Sequence, residues 1–77
     1  MNLYTNIMPF TRSFTNKGGE LPVVPVGTTF AAMGCNNFGI ILRLVEEIKS
    51  GENENMLEII DPRVFDIAFR EVDQLNQ

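Results

Sequence analysis

The 77-residue chain reads as an α+β domain in which a small antiparallel sheet packs against two helices. Three observations predict this class. Residues 8–26 set Thr, Val and aromatic residues on either side of a glycine-rich turn signal, which is hairpin composition. Residues 38–50 and 62–75 carry apolar residues at helical spacing between capping residues. The apolar run at 56–60 between them is short and ends in two β-branched residues, as a strand does. A chain of this length makes one domain, so residues 1–77 are read as a single small unit.

The elements follow in order. Asn16-Lys17-Gly18-Gly19 marks the hairpin turn, because glycine takes positive φ without strain. The second arm, Leu21 to Val26, holds Pro22 and Pro25, which cannot both sit inside a hydrogen-bonded ladder. It is therefore an edge strand or polyproline-like. Gly27 gives a bend, and Thr28 to Met33 reads as a short strand. Gly34-Cys35-Asn36-Asn37 then precedes the first predicted helix, with an Asn as N-cap and Gly51 as the left-handed stop after Ser50. Phe38, Ile41, Leu42, Val45 and Ile48 form the centre of its apolar stripe, and Ile40 and Leu44 widen it to about 200°. So wide a stripe exceeds what one sheet face needs. Ile40 and Leu44 are thus candidates for a subunit interface, or for cover by the N-terminal segment. A hairpin of 40–48 with 56–60 is the alternative, and the helical spacing with both end signals favours the helix. Asp61 as N-cap and Pro62 at the first helical position open the second helix. Val64, Phe65, Ala68, Phe69, Val72 and Leu75 share an arc of about 140°. Ile67 alone stands outside it and is a contact candidate.

Composition narrows the function. Leu, Ile, Val and Phe make about a third of the chain, enough apolar surface to argue against disorder. The single cysteine excludes an internal disulfide, and the absence of histidine excludes Ser-His and Cys-His nucleophiles and His-ligated metals. No metal or cofactor is expected. A formal charge of −4 argues against general nucleic-acid binding, which needs a basic stripe. No apolar run approaches the ~20 residues that span a bilayer, and no secretory signal is visible. The expectation is a cytoplasmic protein. A core this small, without a disulfide or metal, is commonly completed by oligomerisation, so a homo-oligomer is expected.

Two surfaces are candidates. The charge is lopsided: residues 39–77 hold nine acidic and four basic residues. Glu46, Glu47, Asp66 and Asp73, with Ile40, Leu44 and Ile67, are read as a protein interface for a host or cellular partner. Small inhibitor proteins of phages and mobile elements have this profile, a likeness of style rather than of sequence. The second candidate is the loop before the first helix. There Thr28, Thr29, Cys35, Asn36 and Asn37, with Arg12, could bring amides, hydroxyls and a cation to a small anionic metabolite or nucleotide. The Gly34-to-Gly39 spacing resembles part of a phosphate loop, but Ile40 and Ile41 stand where Lys and Ser/Thr are needed. Cys35 before a helix start would have a lowered thiol pKa, yet no histidine serves it as base. The carboxylates form neither a paired acid site nor a calcium loop, and Tyr4, Phe10, Phe14 and Phe30 are read mainly as core. The expected function is therefore a non-catalytic interaction protein that binds and inhibits or regulates another protein. An oligomeric binder of a small anion is the alternative.

Overall fold

The computed structural model describes residues 2–12, 15 and 18–72. Its elements are β1 (Leu3–Asn6), β2 (Phe10–Thr11), β3 (Val23–Val24), β4 (Thr29–Asn36), β5 (Gly39–Leu44), α1 (Val45–Ser50), β6 (Glu58–Ile60), α2 (Pro62–Ala68) and β7 (Phe69–Glu71). Five strands make one antiparallel sheet in the order β6-β5-β4-β1-β7, and β2 pairs with β3 in a separate ribbon. The class is α+β, dominated by antiparallel sheet, with two short helices.

Strand alternation decides which side chains meet. The register lines up Tyr4, Phe30 and Leu44 in one row and Ala32, Leu42 and Glu58 in the next. Phe30 and Leu42 on this face are fully buried. Phe10 and Val24 from the ribbon, Phe65 and Ala68 from α2, and Phe69 close the core over it. Phe30 meets Phe69 edge-on at 5.5 Å and Phe65 stacks on Phe69 at 5.4 Å, arrangements that aromatic quadrupoles favour.

Two buried polar residues tie the segments together. Asn6 Nδ2 donates to the carbonyls of Met8 and Pro25 at 3.0 Å, and its Oδ1 accepts from the Thr28 amide at 3.0 Å. Arg12, just past β2, donates to Glu58 on β6 through Nε and to both carboxylate oxygens of Glu47 on α1, at 2.7 and 3.0 Å. One guanidinium thus pins the ribbon to the sheet and to α1.

Several sequence expectations hold. Residues 8–26 do contain a hairpin, with arms Phe10–Thr11 and Val23–Val24. Its turn residues 16 and 17 lie outside the described residues. Gly27 bends the chain at φ 89°, and the 28–33 strand exists and runs on to Asn36. Gly51 ends α1 in the left-handed region, its N–H donating to the Glu47 carbonyl. Asp61 caps α2 by accepting from the Arg63 amide at 2.8 Å, ahead of Pro62.

Three expectations are corrected. The first helix does not span 38–50. Gly39–Leu44 is a strand between β4 and β6, and only Val45–Ser50 is helical. The wide apolar arc belongs to a strand with apolar residues on both faces: Ile40, Leu42 and Leu44 point to the core, and Ile41 to the other side. The rejected pairing of this segment with 56–60 is the one that forms, over residues 40–42 and 58–60. The second helix does not span 62–75 either. It stops at Ala68, where Phe69 turns extended to pair with Asn6, and residues 73–77 lie outside the described residues. Finally, the N-terminal hairpin and the 56–60 strand belong to different sheets.

Candidate functional site

The β4–β5 hairpin runs past the covered core. Phe30 and Leu44 sit at its inner end, and Asn36-Asn37-Phe38-Gly39 forms the turn at its outer end. A register shift at Met33 breaks the alternation, and Met33 through Phe38 are all exposed. Asn36 Oδ1 accepts from the amides of Phe38 at 2.8 Å and Gly39 at 3.2 Å. That side chain satisfies the turn's free donors and fixes its shape, as Asx turns do. Gly39 lies so close to β6 that a Cβ there would stand 2.1 Å from the Ile60 carbonyl oxygen, at φ 149°. Only glycine fits.

The result is a constrained turn that presents a bare aromatic ring. Phe38 is 78% exposed, the most exposed large apolar side chain among the described residues. The turn abuts the Ile60–Asp61 junction from which α2 departs. Val64 and Ile67, exposed and one turn apart, share the outer face of α2. Leu57 and Ile59 are exposed along β6, with Ile59 directly opposite Ile41. Seven of the twelve exposed large apolar residues lie on the hairpin, on β6 with its approach, and on α2. They lie on both sides of the sheet: Ile59 faces away from the core with Ile41, and Val64 and Ile67 stand on the helix that covers the core.

The predicted interface residues fall into four groups. Ile67 is exposed, as the sequence implied, and so are Glu46 and Asp66. Ile40 and Leu44 are half-buried and pack on the core, because they lie on the covered face of β5. Glu47 is no free acid. The Arg12 hydrogen bonds hold its carboxyl below the usual carboxylate range, against the opposing effect of burial and with help from Asn53. Burial works against the charge on Arg12, and the hydrogen bonds to Glu47 and Glu58 outweigh it, leaving the guanidinium pKa raised. Asp73 lies outside the described residues.

The predicted anion loop is not a loop before a helix. Cys35 and Asn36 end β4, and Asn37 is in the hairpin turn. Cys35 is exposed opposite Ile40, so no helix amides stand beside its thiol. Thr28 and Thr29 lie at the other end of β4, about 25 Å from Asn36 and Asn37 at the usual strand rise. Arg12 is buried in its ion pairs. Thr28 and Thr29 do line an open groove of about 640 Å³ with Leu3, Val26, Leu44 and Lys49. Among the described residues no cluster of acidic, Cys or His side chains is arranged for a metal, and no helix is long and apolar enough to cross a membrane.

Sequence reasoning missed Phe38, which it placed at the centre of a buried helical stripe. The signal was present in Asn36 and Gly39 flanking two residues, a turn pattern. It also missed Asn6 and Glu58, whose burial depends on partners far along the chain. Comparison with protein families, with curated proteins and with solved structures finds no match.

Proposed function

We propose that this chain is a non-catalytic interaction protein that binds, and so inhibits or regulates, a cellular protein, with Phe38 as the anchor of its binding surface. One observation carries this reading: an almost fully exposed aromatic ring on a turn fixed by Asn36 and Gly39. Exposing a phenylalanine costs solubility, and fixing it in place lowers the entropy lost on binding. Aromatic side chains of this kind dominate interface energetics once a partner pocket covers them. The single exposed cysteine suits a reducing cytoplasm.

The acidic contribution is smaller than composition implies, since Glu47 and Glu58 are committed to Arg12. Glu46 and Asp66 are the acids of the predicted interface that stay exposed. Affinity capture from a lysate of the native host tests the reading with three baits: wild type, Phe38→Ala, and Glu46→Lys/Asp66→Lys. A protein held by wild type and lost from the Phe38→Ala bait, at unchanged melting temperature, is the expected result. Equal retention by the Phe38→Ala bait refutes the anchor.

The groove at Thr28, Thr29 and Lys49 supports a second reading, a site for a small anion with an aliphatic part. Its volume lies in the range of small-ligand sites, and Glu46 on its rim offsets the Lys49 charge. Short-chain carboxylates and phosphate monoesters are expected to raise the melting temperature by mass action, and Lys49→Glu to abolish the rise.

A further inference from the structure

The five-stranded sheet ends at β6 on one side and at β7 on the other, and the two edges are defended differently. β7 carries the exposed Arg70 and Glu71. Arg70 folds back to donate to the Asp66, Ile67 and Phe69 carbonyls. β6 carries no outward charge. Met56 to Ile60 holds no Lys, Arg or Pro, and its one charge, Glu58, turns inward to Arg12. Alternate residues of an edge strand direct N–H and C=O groups outward. Among the described residues, no backbone group from Leu57 to Ile60 has a hydrogen-bond partner outside the sheet. Met56, Leu57 and Ile59 beside it are 43, 40 and 46% exposed.

We propose that β6 pairs antiparallel with β6 of a second copy about a two-fold axis at Ile59, giving a homodimer with a continuous ten-stranded sheet. Register commits the edge to this occupant. With both copies facing the same way, alternation requires one residue to stand opposite its own copy. Centring on Glu58 would oppose two carboxylates. Centring on Ile60 leaves Glu58 outside the paired strand. Centring on Ile59 keeps all three residues in the ladder, with Ile59 against Ile59 and each Glu58 against the other copy's Ile60. The pairing then continues with Leu57 against Asp61 and Met56 against Pro62. Like charges never meet, and each exposed Ile59 packs against the other copy's Ile59. On β7 the same construction opposes Arg70 with Arg70 or Glu71 with Glu71, or shifts the ladder off the strand.

The dimer does not depend on Phe38 acting as an anchor, and its test is separate from partner capture. Sedimentation equilibrium of the purified full chain at micromolar concentration is expected to give twice the 8.7 kDa chain mass. Ile59→Lys opposes two ammonium groups and is expected to return the mass to that of one chain, with an unchanged circular dichroism spectrum. In a Cys35→Ser background, Ile59→Cys is expected to form an intermolecular disulfide on mild oxidation, since directly opposed Cβ atoms approach to about 4.5 Å, the reach of a disulfide. Leu57→Cys, four residues out of register with its own copy, is expected to stay reduced. A wild-type chain of single mass overturns the proposal. So does a dimer that Ile59→Lys leaves intact, a Leu57→Cys cross-link as efficient as that at position 59, or a β6 edge occupied only by a strand of a different protein.

Discussion

Phe30 and Phe38 stand at opposite ends of one hairpin and live in opposite environments. Phe30 is 0% exposed, ringed by Phe10 and Phe69, while Phe38 is 78% exposed on the turn. The same side chain is structural at one end and available to a partner at the other. The strand between them decides this through its register: Phe30 falls in a row that the ribbon and α2 cover, and Phe38 falls beyond the last covered row. Apolar content alone therefore says little about role in a chain this small.

The sharpest way to break the contrast is at its buried end. Phe30→Ala removes a fully buried ring and is expected to cost about 3–5 kcal/mol. A domain of this size has little more than that in total, so urea unfolding should find the variant largely unfolded. Arg12→Met tests the polar half of the same covered face. It leaves Glu47 and Glu58 close together without their cation, and breaking a buried pair in this way costs about 3–5 kcal/mol. Arg12→Met combined with Glu47→Gln and Glu58→Leu should recover part of the loss, because no uncompensated charge remains.

Acid titration probes that contact without mutation. Glu47 has a folded-state pKa held below its ordinary 4.5, first by the Arg12 hydrogen bond. Its contribution to stability is fully present above that ordinary value and is lost as pH falls through the lower folded-state value. The melting temperature is expected to fall below about pH 4.5. Glu47→Gln is expected to flatten this acid limb, and an equally steep limb in Glu47→Gln would assign acid sensitivity elsewhere.

How much of this was legible in the sequence follows the range of the interactions. Asp61-Pro62 and Gly51 act on backbone groups within four residues, and both work as read. The turn at 27 and the strand at 58–60 are likewise local. The sequence places an Asn of the 36–37 pair as a helix cap, and the chemistry of Asn36 is the same in both settings: a side-chain oxygen accepting from amides two and three residues on. Only the pairing of β5 with β6, 16 to 20 residues downstream, tells a hairpin from a helix here. The Arg12–Glu58 contact spans 46 residues, and no spacing rule reaches that far. The candidate site suffered accordingly. Helical spacing places Ile67 outside the apolar arc, where the structure exposes it, and places Phe38 in a core, where the structure does not.

The smallest expected effect on stability is the most informative about function. Phe38→Ala deletes a ring that touches little of its own chain, so its unfolding free energy should stay within about 0.5 kcal/mol of wild type. If that ring is the anchor, the same variant should weaken partner binding by about 2 kcal/mol or more, roughly thirtyfold in Kd. Asn36→Ala separates presence of the ring from its presentation. It keeps Phe38 but frees the turn amides, so it should weaken binding less than Phe38→Ala and slow association more than it speeds release. A Phe38→Ala chain that loses stability instead would mean that the ring packs on its own fold in solution, and the two ends of the hairpin would then differ in degree and not in role.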